Sequence, residues 1–299
     1  MRIVVTGGSG KAGRWVVRDL RDHGHDVLNV DVVHDGSSHG LCVVADLTDL
    51  GQAHDVVNGM DAVVHLAAIP APEIRPLGDT FRINTISTWN VFHAATAAGV
   101  ARVVWASSET VLGLPFDRPP DFAPIDETIT PRPESSYALS KLVGETMAEQ
   151  LNRRTGIPFV GLRISNIMEP PDYARFETWQ DDPWVRKWNL WGYVDARDVA
   201  AACRLGVERP TTGAEIAIVA APGVTAISEK NRMMQHALKM DDRIAVLDGI
   251  NATTFAVTVA SPSSTSGVNV PPSSAFTRST TSVSPSRTRY CFPPRRMIA

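Results

Sequence analysis

Cysteine is scarce in this chain. There are three in 299 residues, Cys42, Cys203 and Cys291, and none is closely paired, which excludes a disulfide framework. The histidines, at 23, 25, 34, 39, 54, 65, 93 and 236, lack the paired spacing of a metal site, so no metal is expected. No apolar run approaches the ~20 residues of a spanning helix, and no membrane partner is expected. Positive charge is not in excess: 29 Lys and Arg against 32 Asp and Glu leave a net charge of −3. That gives no electrostatic case for nucleic acid or an anionic membrane. With few cysteines, and Met1 running straight into an apolar stretch, the expectation is a cytoplasmic protein without a signal peptide. The most local absence lies in 251–299, where there is no Asp, Glu or Lys and Ser, Thr, Pro and Arg dominate. This low-complexity segment keeps no helical or strand period and is expected to be a disordered tail. A shifted reading frame or an unrelated extension would give the same composition.

What is present begins at the first residues. Met1 to Thr6 reads as a short buried strand, followed by TGGSGKAG, in which Gly7, Gly10 and Gly13 fall at three-residue spacing. Trp15, Val16 and Leu20 then continue at helical spacing. Glycines there let the backbone turn tightly and approach a pyrophosphate, while the helix N-terminus offers free N–H groups and its positive dipole end. The next strand, Asp26 to Val30, ends in Asp31, at the distance expected of an acid that binds the adenine ribose hydroxyls. A carboxylate there favours NAD over NADP, whereas Lys11 and Arg14 in the loop would welcome a 2′-phosphate; Asp31 carries the greater weight.

Further strands are predicted at Leu41–Val44, Asp61–Leu66, Arg102–Ala106, Ile157–Arg163 and Glu215–Ala220. Helices are predicted at Thr85–Ala98, Tyr137–Arg153 and Asp195–Val207. Such alternation implies an α/β fold, a doubly wound parallel (Rossmann) sheet covered on both faces, with ligands at the carboxyl ends of its strands. Gly7, Asp31, Ala67, Ser108 and Ser165 all fall at such ends. Asp46, beside Leu47, could accept the adenine amino group, and Ala67-Ala68 would let backbone pass close to a ligand. In YALSK, Tyr137 and Lys141 lie four residues apart, on one face of a helix. An ammonium beside a phenol, together with a positive nicotinamide ring, would draw the phenol pKa down from its ordinary ~10. Tyr137 could then accept a proton from a substrate hydroxyl as hydride leaves the same carbon.

In TGGSGKAG, Asp31, Asp46-Leu47, HLAA (His65–Ala68), Asn84, ASSETVLG, YALSK, LRISN and YVDARDVA, the chain resembles the NAD-dependent epimerase/dehydratase family of extended short-chain dehydrogenases, over Met1 to about Ala221. The resemblance implies Ser108, Tyr137 and Lys141 as catalytic residues, with Ser108 rather than Ser107 as the catalytic serine. It implies NAD held by Gly7, Gly10, Lys11, Ala12, Gly13, Asp31, Asp46, Leu47, Leu66, Ala67, Ala68, Asn84, Tyr137, Lys141 and Ile164. A Rossmann core over 1–165 and a small substrate lobe over 166–250, incomplete at its C-terminal end, follow from it, as does a homodimer pairing through Thr85–Ala98 and Tyr137–Arg153.

Sugar epimerase, dehydratase and dehydrogenase all remain open. Dehydration is disfavoured because Thr110 follows Glu109 where dehydratases carry an acidic pair. ARFETW (Ala174–Trp179) resembles uronate dehydrogenases, which implies Arg175 as the grip on a sugar-acid carboxylate. Ser108, Glu109, Ser165 and Asn166 are the other candidate substrate contacts, and Glu109 would better suit a neutral sugar or a nucleotide sugar. The aromatics Tyr173, Trp179, Trp184, Trp188, Trp191 and Tyr193 are expected to pack as a cap over the crevice. A cofactor-binding protein without turnover is the alternative that the unusual C-terminal composition suggests.

Overall fold

The computed structural model describes residues 1–33, 42–118, 120–121, 125–180 and 182–221. The segment 251–299, the histidines at 34, 39 and 236, Leu41 and Cys291 lie outside the described residues. Strands and helices alternate as β1 (Arg2–Thr6), α1 (Gly13–Asp22), β2 (Asp26–Asp31), β3 (Cys42–Val44), α2 (Leu50–Val57), β4 (Ala62–His65), α3 (Leu77–Ala98), β5 (Arg102–Ser108), α4 (Ser136–Thr155) and β6 (Phe159–Ile164). The chain then forms β7 (Ile167–Met168), α5 (Arg175–Gln180) and β8 (Val194–Asp195) before α6 (Ala196–Glu208) and β9 (Ala214–Val219) return to the main sheet.

That sheet has seven strands in the order β3-β2-β1-β4-β5-β6-β9, and its pairings are parallel. Strand order reverses at β1, so the carboxyl ends of β1 and β4 flank the crevice where such sheets take ligands. Alternation builds a core on each face. Val4, Val63, Val103 and Trp105 pack under α2, α3 and α4, while Ile3, Val5, Val64 and Val104 pack under α1 and α6. Both faces are covered, which is why β1 and β4 read as unbroken apolar runs.

Trp105 sets the seat of α4. Its ring lies 5.5 Å from that of Phe92, which in turn is 4.9 Å from Phe159, both edge to face. A Cβ on Gly144 would meet the Trp105 ring at 2.9 Å, so glycine lets α4 lie directly on β5. The helix starts at Ser135, whose hydroxyl accepts from the Ala138 N–H at 3.1 Å. Tyr137 thus falls in the first turn and Lys141 one turn on, both over the end of β5.

Four elements differ from the sequence expectation. Helix α3 begins at Leu77, eight residues before Thr85, and buries polar Thr80, Asn84, Ser87 and Thr88, which blur its apolar period. Helix α2 is short, and β7 and β8 have two residues each, too few to show any period.

Candidate active site

At the end of β1 the chain turns through Gly7, whose φ of +72° and closeness to Ala67 both demand glycine: a Cβ would meet the Ala67 nitrogen at 2.6 Å. A Cβ on Gly13 would come within 2.0 Å of the Gly7 carbonyl oxygen, so α1 enters against the loop itself. No side chain caps α1 at Ala12, and the N–H groups of Arg14 and Trp15 turn back to the Gly10 and Ala12 carbonyls at 3.2 and 3.1 Å, so a ligand would meet the loop N–H groups before them. Asp31 closes the loop from β2, its carboxylate accepting from the N–H groups of Ser9 (3.0 Å) and Val32 (2.7 Å). Asp46 is exposed after β3, and two hydrogen bonds from Thr48 hold its carboxyl below the usual range. This arrangement fits a dinucleotide: a bare glycine cradle, an uncapped helix start, and an oriented acid at the end of β2.

Lys11 and Arg14 do not stand free in the cradle. Lys11 pairs with Asp172 at 2.5 Å, and the Arg14 guanidinium grips the Glu169 carboxylate, its Nε at 2.9 Å. The Trp15 indole donates to the same Glu169 oxygen at 2.7 Å. These cations tie the glycine loop to the segment after β7.

On β4, His65 is buried between the hydroxyls of Thr6 (2.7 Å) and Thr88 (3.2 Å). Burial, aided by the nearby Lys141 charge, pushes its pKa down to about 3 and keeps it neutral. Asn84 exchanges two hydrogen bonds with the backbone of Ile69, at 2.8 and 3.1 Å, and so fixes the loop carrying Ala67 and Ala68.

The catalytic candidates converge at the end of β5. The Ser108 hydroxyl lies near enough to the Tyr137 phenol to favour its ionised form, and accepts from the Thr110 hydroxyl at 3.0 Å. Ser107 is engaged elsewhere, donating at 2.6 Å to Glu145, which forms a buried bidentate pair with Arg163 at 2.8 and 2.9 Å. Lys141 is buried and donates to the Ala106 carbonyl at 2.8 Å, with its ammonium 5.7 Å from the centre of the Tyr137 ring. Burial lowers the Lys141 pKa to about 8. The Tyr137 phenol differs from the sequence expectation: its pKa is pushed up to about 12 rather than down. Burial dominates, the Ser108 hydroxyl offsets part of it, and the charge of Glu109 adds to it. Lys141 uses one of its three N–H groups on the Ala106 carbonyl.

Glu109 faces away from solvent into a wall formed by the segment between β7 and β8. Ser165 donates to its carboxylate at 2.5 Å. Burial raises its pKa to about 7, against hydrogen bonds from Ser165 and Asn189, the charge of Arg186, and a hydrogen bond from the Asn166 backbone. Arg186 is buried, donating to Gly192 O at 3.1 Å and to Asn166 Oδ1 at 3.4 Å, with its guanidinium 4.6 Å over Trp179 and 5.0 Å over Trp188. Leu190 and Trp191 take consecutive positive φ values of 53° and 61°, a strained turn that brings Asn189 and Gly192 together. Arg175, by contrast, is exposed, 5.4 Å over the Trp179 ring. Tyr173, Phe176, Trp179 and Tyr193 pack on one another at 5.1 to 6.2 Å. Sequence reasoning missed Arg186 and Asn189. The run of tryptophans around them was the visible signal, since an arginine between aromatics is what cation–π stacking requires. Among the described residues no cluster of three or more His, Cys, Asp or Glu could hold a metal, and no helix is long and apolar enough to cross a membrane.

A glycine cradle after β1, with a serine at the end of β5 and a tyrosine and lysine on α4, is the arrangement of a short-chain dehydrogenase-type fold. The chain belongs to the NAD dependent epimerase/dehydratase family, whose model matches residues 3–220. It is 32% identical over 186 residues to a uronate dehydrogenase of Pseudomonas syringae pv. tomato, covering 60% of this chain and 64% of that one. It is 31% identical over 176 residues to a UDP-glucose 4-epimerase of Azospirillum brasilense, covering 56% and 49%. The chain thus spans less than two thirds of either relative. Its fold also matches the crystal structure of a short-chain dehydrogenase/reductase superfamily protein from Agrobacterium tumefaciens with bound NAD. That match has a TM-score of 0.64 and 25% identity, covering 81% of this chain and 83% of that one. The cofactor is NAD.

Proposed function

We propose that this protein oxidises a secondary or anomeric hydroxyl of a sugar, with Tyr137 as the base. Gly7, Gly10, Lys11, Ala12 and Gly13 would hold the pyrophosphate by their backbone; Asp31 would bind the adenine ribose, and Asp46 and Leu47 the adenine. Leu66, Ala67, Ala68, Asn84 and Ile164 would border the cofactor, and Tyr137 and Lys141 the nicotinamide ribose. NAD, when bound, supplies the hydride acceptor and a positively charged ring. Ser108 donates to the reacting oxygen and fixes it beside the phenol. Tyr137 takes the hydroxyl proton on its own oxygen. Its phenol is raised to about 12 without a ligand, so a positive charge in the site is required before it works near neutrality. The Lys141 ammonium, 5.7 Å from the centre of the phenol ring, would add to that charge.

The observation that carries this reading is the convergence of Ser108, Tyr137 and Lys141 over the end of β5, with the Lys141 ammonium 5.7 Å from the centre of the phenol ring. The test is Tyr137→Phe. Loss of the hydroxyl should reduce turnover by roughly 100-fold or more with NAD affinity unchanged. A variant that turns over normally would remove Tyr137 from the chemistry. Names of relatives, uronate dehydrogenase and UDP-glucose 4-epimerase, support a sugar or sugar derivative as substrate.

A homodimer is also proposed. Ile86 and Trp89 on α3 and Leu139 on α4 are exposed, and a cavity of about 290 Å³ runs between the two helices, lined by Trp89, Val143 and Met147 among others. A second copy laid on this face would cover those side chains.

A further inference from the structure

The wall around Glu109 holds two buried polar atoms without a partner, Nε of Arg186 and Oδ1 of Asn189. Their residues are 6% and 3% exposed, so water does not readily serve them. Both are held in place. Arg186 is fixed by its bonds to Gly192 and Asn166 and by the two indoles, and Asn189 donates to the Gly192 carbonyl at 2.8 Å. That carbonyl can only accept, so it fixes which end of the Asn189 amide is oxygen. One orphan is therefore a donor and the other an acceptor.

Beside them Glu109 is bonded to Ser165, and Gly192 packs closely against both: a Cβ there would meet the Ser165 hydroxyl at 3.0 Å and a Glu109 oxygen at 3.6 Å. We propose that Glu109, Ser165, Arg186 and Asn189 form a subsite for an uncharged sugar, reading its hydroxyls and rejecting the corresponding sugar acid. This rests on the reading that Tyr137 acts on a sugar hydroxyl. Hydroxyls both donate and accept, so those of one sugar can serve an acceptor such as Asn189 Oδ1 and a donor such as Arg186 Nε. A carboxylate only accepts. It would serve Arg186, leave Asn189 bare, and bring a second negative group beside Glu109. Arg186 does not tip the balance, because Glu109 offsets its charge within the same wall, and Arg175 is exposed rather than part of it.

Calorimetric titration of the wild-type protein loaded with NADH measures sugar affinity without turnover. The probes are D-galactose against D-galacturonate and D-glucose against D-glucuronate. At least one aldose should bind on the order of tenfold or more tighter than its uronate. Glu109→Gln, which keeps the shape and removes the charge, should bring that ratio toward one. Asn189→Leu should weaken the aldose on the order of tenfold and leave the uronate little changed. Uronates bound as tightly as aldoses, an unchanged ratio in Glu109→Gln, or no binding of any of the four would overturn the subsite. Aldose-selective binding with neither NADH formation from NAD nor sugar interconversion would keep the subsite and defeat the oxidation reading. NADH formed preferentially from a uronate would do the reverse.

Discussion

Two single residues make the acid behaviour of the fold specific. His65 has its pKa depressed to about 3 by burial, so between about pH 6.5 and 3 the unfolded chain binds a proton that the folded one refuses. Its contribution to stability is present above pH 6.5 and is lost as pH falls. Glu109 has its pKa raised to about 7 from 4.5, so between those values the folded chain binds the extra proton, and stability falls as pH rises through the window. The two slopes oppose each other, each up to about 1.4 kcal/mol per pH unit. Urea unfolding at pH 4.5 to 6.5 should show Glu109→Gln losing stability with acid faster than wild type, and His65→Gln losing it more slowly. Parallel curves for all three proteins would contradict the assignments. At this scale the sequence was informative where chemistry needs fixed spacing. Gly7, Gly13, Asp31, Ser108, Tyr137 and Lys141 stand at strand ends or one helical turn apart, and all can be read without coordinates. Arg186 and Asn189 could not be read so. They reach Glu109 through a turn in which Leu190 and Trp191 take left-handed conformations that nothing in their residue types announces.

Among the elements, the junction of β1 and α1 is the most sensitive. Gly13→Ala would force its new methyl within 2.0 Å of the Gly7 carbonyl oxygen and push the helix start away from the cradle. NAD affinity by calorimetry should fall at least about tenfold while circular dichroism still shows a folded chain. Undiminished NAD binding would contradict the cradle. The same junction bears on cofactor choice. Lys11 and Arg14 are bound to Asp172 and Glu169, so the acid at the end of β2 faces a dinucleotide without free cations from these two residues. Wild type should prefer NAD, and Asp31→Ala should shift the kcat/KM ratio toward NADP by about tenfold. No shift would mean that Asp31 does not face the ribose. The long β-α alternation was legible because β1, β3, β4 and β5 each hold an apolar run of three or more residues. The start of α3 and the β7–β8 pair were not, since buried Thr80 and Asn84 blur one period and two-residue strands have none.

For the whole molecule, the α3–α4 face should give a dimer mass by light scattering, and Trp89→Lys should convert it to monomer without loss of helix content. A monomeric wild type would leave that face without a partner copy. Activity as a whole rests on a narrower point, that a buried phenol beside a serine and a NAD cradle takes protons from a sugar. The measurement that tests it most directly is the rise in reduced-nicotinamide absorbance for wild type and Tyr137→Phe, with NAD and a panel of aldoses, uronic acids and nucleotide sugars. Sugar interconversion is followed by chromatography in the same mixtures. The account expects NADH or interconversion from wild type with at least one sugar and its loss in Tyr137→Phe. NAD binding in both proteins, with neither NADH nor interconversion from wild type, would contradict it.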